Sequence, residues 1–164
     1  TVEMANYVIS QAKYVEGWKL IFRTHPLFPY NKVKKYLIQD IVNDSSFIVS
    51  ESGKLIDDIN KSDAIIYWGT TVSLECLCMG KPAIHYDRGD LLSYDPAFNC
   101  EHLKWNVNKN QSLESVLKDI NSMSMDNFSF HQEEARKYVF SYFHQPTKLN
   151  FMKPILEFLK PGQN

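Results

Sequence analysis

The chain carries no excess of either charge: 18 Lys and Arg stand against 19 Asp and Glu, a formal net charge of −1 over 164 residues. Without a basic block to neutralise phosphates in series, a nucleic-acid partner is not expected. No apolar run approaches the roughly 20 residues of a membrane span. No secretory leader pattern opens the sequence, so a cytoplasmic protein is expected. Cysteine is scarce and odd in number, at three. Cys76 and Cys78 stand two apart in a helical pattern, so their side chains diverge; neither a bridge nor a shared metal is expected, and core thiols are the reading. Internal repeats and low-complexity tracts are also lacking. What remains is 44% hydrophobic and 13% aromatic, the composition of one globular domain with a sizeable core.

The sequence opens without Met and directly in helical pattern, with Val2, Ala5, Val8, Ile9, Ala12 and Val15 on one face before Gly17. Read with the rest, it is expected to be a fragment whose first helix links to an upstream domain, spanning 1–164 as a single unit. A strand over 19–23 then runs into Thr24-His25-Pro26. A helix is expected from about Asn31, with Val33, Tyr36, Leu37 and Ile41 inward, followed by a strand at 47–49 and a short helix through Leu55, Ile56 and Ile59. Further strands are expected at 64–68, 83–86 and 103–107, with helices at 72–79 and over Leu113 to Ile120. Closing helices are expected within about 128–160, one around 135–144 with Tyr138, Phe140, Tyr142 and Phe143 as packing residues. Strands alternating with helices across short turns predict an α/β fold, a Rossmann-like parallel sheet flanked by helices.

Parallel sheets bind ligands beyond the carboxyl ends of their strands, and the unusual residues fall there. His25 follows the first strand, Ser50-Glu51-Ser52 the second, Gly69-Thr70-Thr71 the third, and Asp87-Arg88 the fourth. Gly69 to Ser73 form a small, hydroxyl-rich turn from strand to helix, where backbone amides and hydroxyls suit a phosphate. Glu75 interrupts an apolar helix three positions after Val72, so no capping box accounts for it; a buried-side carboxylate is expected, with a ribose diol as its partner. His85 inside its strand reads as sheet packing, and no third ligand stands at metal-binding spacing beside it and Asp87. Arg88 and, less directly, Arg23 are candidates for phosphate or for surface ion pairs.

Phe22-Arg23-Thr24-His25-Pro26, Ile59 to Ile66, and above all Gly69-Thr70-Thr71-Val72-Ser73-Leu74-Glu75 through Gly80-Lys81-Pro82-Ala83-Ile84 resemble the C-terminal, nucleotide-sugar-binding half of GT-B glycosyltransferases. The resemblance covers most of residues 18 to 120 and implies one half of a GT-B fold. It implies donor-phosphate contacts from Gly69, Thr70, Thr71, Ser73, His25 and Arg88, a ribose contact from Glu75, and a base-facing loop at Ser50, Glu51 and Ser52. The His-Pro after the first strand resembles the pattern in capsule and surface-polysaccharide transferases that use cytidine donors. The implied substrate is a UDP- or CMP/CDP-linked sugar, without a cofactor or metal. Tyr67 occupies the position where one large retaining class carries a second Glu, so that class is not expected. The upstream acceptor domain, the usual home of a catalytic base, lies outside the chain, so no base is assigned and the isolated chain is expected to be inactive. A nucleotide-sugar 2-epimerase and a non-catalytic nucleotide-binding or regulatory module are the alternatives. Phe151, Met152, Phe158 and Leu159 beside Lys148, Lys153 and Lys160 suggest either peripheral contact at the inner face of the membrane or docking within the protein.

Overall fold

Apolar spacing along the first residues does produce a helix, but a shorter one than expected. In the computed structural model, which describes residues 2–12, 14–15, 17, 19–39, 44–51, 53–92 and 94–143, α1 is Val2–Ala12. Its last carbonyls are taken by tight turns, Tyr14 N–H to Gln11 O and Val15 N–H to Ala12 O, before the chain reaches β1, Leu20–Arg23. The expected helix from Asn31 to Ile41 is broken: α2 is only Tyr30–Val33, followed by a 3₁₀ turn at Lys34–Tyr36. Asn6 of α1 is the physical reason. Its side-chain amide donates to Tyr36 O and accepts from Ile38 N, so the backbone groups a longer helix would have used are already satisfied. Tyr36 consequently faces solvent, and Ile41 lies outside the described residues.

The remaining elements are β2 (Phe47–Ser50), α3 (Leu55–Lys61), β3 (Ile65–Tyr67), α4 (Val72–Cys78), β4 (Ala83–Tyr86), β5 (Lys104–Val107), α5 (Leu113–Ser122) and α6 (Met125–Tyr142). Ser112 and Ser124 cap α5 and α6 by accepting from the amides of Ser115 and Asn127. That second cap starts α6 well before the expected 135. Of the aromatic group expected to pack, only Tyr138 is half-buried, whereas Phe140, Tyr142 and Phe143 are exposed. The expected last helix, at 151–159, lies outside the described residues.

Among the described residues all strand pairs are parallel, as expected, but they do not join into one sheet. β1 pairs with β2, and β3-β4-β5 form a separate group with β4 central. Helices cover both faces. On one, Ala5 and Ile9 of α1 pack with Leu20, Phe22, Leu37 and Phe47, while Met4, Tyr7 and Val8 of the same helix pack with Ile66, Trp68, Ile84 and Tyr86. On the other, Ile59 of α3 and Leu74, Cys76 and Leu77 of α4 pack on Tyr67 and Ala83, beneath Ala135 and Val139 of α6. β4, covered on both faces, is buried at all four positions.

α4 stops at a Schellman motif: Lys81 N–H reaches Cys76 O and Gly80 N–H reaches Leu77 O, with Gly80 at φ +70°. A Cβ there would stand 2.8 Å from Gln132 Nε2 and 2.9 Å from an Arg136 nitrogen. Both side chains are already committed, Gln132 donating to Gly80 O and Arg136 to Cys78 O. Gly80→Ala is therefore expected to destabilise the chain by about 1–3 kcal/mol through left-handed strain and loss of these α6 contacts. Urea unfolding would measure it, and an unchanged midpoint would contradict the assignment.

Candidate functional site

Within each group the strands run parallel, so the loops after β1 and β2 leave one edge of their pair, and those after β3 and β4 one edge of theirs. Each then commits its side chains differently. After β1, His25 is exposed and its Nδ1 accepts from Leu27 N at 3.2 Å, leaving Nε2 toward solvent-side partners. After β2, the expected base-facing loop is largely spent on structure. Ser50 donates to Asp58 at 2.6 Å and accepts from Arg23, whose guanidinium also holds Asp58 and Gly53 O. Glu51 is exposed, and Ser52 lies outside the described residues. Burial pushes the Asp58 carboxyl up, but the Ser50 and Arg23 hydrogen bonds and the nearby cations outweigh it and leave it lowered.

The loop after β3 corrects two expectations. Ser73 is completely buried, and its hydroxyl donates to Thr70 O, so it is not presented to a phosphate. Glu75 is exposed and its side chain makes no hydrogen bond among the described residues, rather than standing on the buried side. Inward Ser73, Leu74, Cys76 and Leu77 centre the buried arc of α4 opposite Glu75, so a free carboxylate costs nothing there. Because α4 has only seven residues, anion binding here rests on individual groups more than on a helix dipole. Thr71 is exposed, and Thr70 Oγ1 makes one long contact, 3.4 Å, from Val72 N. Gly69, at φ +58°, admits the backbone of the next loop: a Cβ would stand 3.2 Å from Tyr94 Cβ.

The loop after β4 forms a cleft that the sequence reading did not identify. It encloses about 380 Å³, lined by Trp68, Arg88, Leu92, Tyr94 and the exposed Asn106, with His85, Asp95 and Lys104 buried at its floor. Arg88 stacks on Trp68 with its guanidinium carbon 5.0 Å from the ring centroid, and pairs with Glu3 at 3.2 Å and Asp90 at 3.6 Å. Beneath it, Asp95 is held on three sides: by Lys104 Nζ at 2.7 Å, Tyr67 Oη at 2.6 Å and Ala97 N at 2.9 Å. The Lys104 and Asp95 side chains are 6% and 2% exposed, so this ion pair is inside the protein. His85 packs on Tyr67, with Nδ1 3.8 Å from Asp95 and a buried Nε2 that has no hydrogen-bond partner among the described residues. Burial pushes the Asp95 carboxyl up, but its bonds from Lys104, Tyr67 and Ala97 together bring it below the ordinary carboxylate value. Burial first, and the Asp95 carboxylate second, push the Tyr67 hydroxyl up. The thiol of Cys76 is pushed up to about 12, chiefly by burial, as befits a core group.

The sequence matches no protein-family model and no curated protein, and the chain finds no match among solved structures. The site must therefore be read from its own geometry. Among the described residues, no cluster of three His, Cys, Asp or Glu side chains is placed to hold a metal. What these loops offer among the described residues is a guanidinium on an indole, the hydroxyls of Thr70 and Thr71, an unpaired carboxylate at Glu75 and a buried, polar floor.

That floor makes two stability predictions. Asp95→Asn leaves Lys104 buried without its counter-charge and is expected to cost about 3–5 kcal/mol, whereas combining it with Lys104→Met is expected to cost well under the sum of the two single changes. Urea denaturation of the four proteins at neutral pH measures the coupling; additive effects would mean that the pair is not formed. The pH dependence follows from the lowered Asp95 and Asp58 carboxyls. Their contribution is fully present above the unfolded carboxyl value, near 3.8, and is lost as pH falls through the lower folded values. Stability is thus expected to be level from about pH 7 to 5 and to fall below about pH 4, less steeply in Asp95→Asn.

Proposed function

We propose that this chain is the donor-nucleotide-binding half of a GT-B glycosyltransferase of surface-polysaccharide synthesis, taking a UDP- or cytidine-linked sugar. The observation that carries the reading is topological. The connection from β1 to β2 packs on the face of α1, and those from β2 to β3 and β3 to β4 pack on the opposite face. Such a reversal marks the crevice where doubly wound α/β folds bind nucleotides. In this reading the crevice is bordered by the loop of His25 and the loop of Gly69, Thr70 and Thr71, with the Trp68–Arg88–Tyr94 cleft beside the latter.

In this reading, Arg88, the Thr70 and Thr71 hydroxyls and adjacent amides stabilise the charge that develops on the departing nucleotide phosphate. Glu75 accepts from the ribose hydroxyls, and His25 offers Nε2 to a phosphate oxygen. The acceptor and the proton-accepting group belong to a facing domain. Work at the inner face of the membrane would suit such an enzyme; among the described residues no helix is long and apolar enough to cross one.

Titration of the ¹⁵N-labelled chain with UDP and CMP tests this directly. Shifts are expected at Gly69–Thr71, Glu75, His25 and Arg88, with Kd between tens of micromolar and millimolar, about 4–6 kcal/mol, and with no sugar transfer by the chain alone. Because Glu75 is exposed and unpaired, Glu75→Gln is expected to leave stability within about 0.5 kcal/mol. It is expected to weaken nucleotide binding about ten- to a hundredfold, the loss of charged hydrogen bonds worth about 1.5–3 kcal/mol. No nucleotide response, or equal affinity in the folded variant, would overturn the reading.

A further inference from the structure

The loops after β1 and β4 each present two adjacent large apolar side chains to solvent, and the charges beside them differ in sign. Leu91 and Leu92, after β4, follow Asp87 and Asp90, and the cation between those two, Arg88, is already paired with carboxylates. Leu27 and Phe28, after β1, are 72% and 60% exposed in a connection of the opposite character. Between Thr24 and Gln39 the sequence has Lys32, Lys34 and Lys35 and neither Asp nor Glu, in a chain whose net charge is −1. The rest of the molecule is therefore acidic. All three lysines are exposed, as are Tyr36 and Ile38, whereas Val33 and Leu37 are buried and anchor the connection.

The backbone of this apolar tip is closed as well. Pro26 takes the second position of a tight turn in which Phe28 N–H donates to His25 O at 2.8 Å, and Leu27 N–H donates to His25 Nδ1 at 3.2 Å. Pro26 and Pro29 have no N–H to offer. Every backbone donor from 26 to 29 is thus bonded or absent, which suits a loop that leaves water, because an unbonded N–H is costly in apolar surroundings. The cations begin one helical turn on, where Lys32 N–H bonds to Pro29 O at 2.9 Å. Lys34 and Lys35 then stand over the rings of Tyr30 and Tyr36, with Nζ 5.9 and 4.8 Å from the centroids.

We propose that the connection from β1 to β2 docks on an anionic lipid surface, with Leu27 and Phe28 entering the headgroup region and Lys32, Lys34 and Lys35 pairing with lipid phosphates. The two kinds of side chain select this partner together. A nucleic acid or another soluble polyanion would use the lysines but leave Leu27 and Ile38 in water. An uncharged apolar partner would leave three cations without counter-charge. Insertion of two apolar side chains alone is weak, and each lysine held at an anionic surface adds roughly fivefold to it. The apolar tip after β4 does not qualify, because Asp87 and Asp90 would meet lipid charge of their own sign. The inference goes beyond the nucleotide reading and does not depend on what the cleft binds.

Flotation of the chain of 164 residues with lipid vesicles tests it. Binding is expected to phosphatidylcholine vesicles that contain about one-third phosphatidylglycerol, not to phosphatidylcholine alone, and it is expected to fall about tenfold or more between about 0.05 and 0.5 M salt. Leu27→Ser with Phe28→Ser, and separately Lys32→Ser with Lys34→Ser and Lys35→Ser, are each expected to weaken it about tenfold or more. Lys109→Ser with Lys118→Ser and Lys137→Ser makes the same charge change at exposed positions elsewhere and is expected to have a far smaller effect. In the unaltered ¹⁵N-labelled chain, a paramagnetic lipid in the same vesicles is expected to broaden the amides of 25–38 first, an arm that stands if a variant misfolds. Equal binding to neutral vesicles would overturn the proposal, as would binding retained in both variants, the result of a site at Lys148, Lys153 and Lys160 instead. Binding to heparin without binding to vesicles would make the patch a polyanion site, and a dimer in sedimentation that Leu27→Ser with Phe28→Ser abolishes, again without vesicle binding, would make it a contact between copies; either overturns it.

Discussion

The molecule depends on one hydrophobic contact, the burial of both flanks of α1. Among the described residues no backbone ladder joins the two-stranded and three-stranded groups, and the side chains of one eleven-residue helix pack against both of them. Ile9 is 1% exposed and Ala5 4% exposed on one flank, with Tyr7 8% exposed on the other. A fully buried Ile side chain contributes about 1.5–3 kcal/mol, a large share of the stability of any domain. Asn6 adds direction to this contact by binding the backbone at Tyr36 and Ile38. The same helix therefore packs on both sheets and cuts short α2.

On the opposite face the organising element is polar. The long connection between β4 and β5 would be free to move if only its apolar residues Ala97, Cys100 and Leu103 held it. Asp95 pins it to two strands at once, to Tyr67 of β3 and Lys104 of β5. Burying such a pair is not in itself a source of stability, because desolvation offsets the attraction. It is a source of position: an alternative packing of this loop would strand Lys104 in the interior without a counter-charge. The cleft walls, Tyr94 and Trp68 among them, inherit their placement from that constraint, and Gly69 allows Tyr94 to close down on the loop after β3.

These two devices differ in how far the sequence discloses them. Alternating strand and helix patterns, Gly80 before Pro82, and small or polar residues after each apolar run made the parallel α/β class and its carboxyl-edge loops legible, since each signal is local and repeats with a known period. Asp95, Lys104 and Tyr67 were not legible as a unit, because a loop residue has no period and its partners are 9 and 28 positions away. Ser73 and Glu75 were misjudged for a related reason. One turn of helix has two sides, and only the packing of Leu74, Cys76 and Leu77 on β4 and α6 decides that the hydroxyl is enclosed and the carboxylate is not. The break at Leu37 was hidden because its cause, Asn6, lies 30 residues or more away.

Existing partners do not by themselves remove a residue from the site; what matters is how much each contact would lose on exchange. Arg23 holds Ser50, Asp58 and Gly53 O together, with Asp58 at 2.6 Å, and ties β1 to β2 and α3. Giving up that net for a phosphate would open three contacts at once, so Arg23 belongs to the scaffold. Arg88 is different. Its two carboxylates are 52% and 41% exposed, and exposed pairs are worth about 0–1 kcal/mol. A phosphate offers the same guanidinium charged hydrogen bonds of about 1.5–3 kcal/mol, while the stack on Trp68 keeps it aimed. Exchange at Arg88 is thus downhill. Because Glu3 is one of those two carboxylates, a phosphate taken up at Arg88 would compete with the first turn of α1 for one cation.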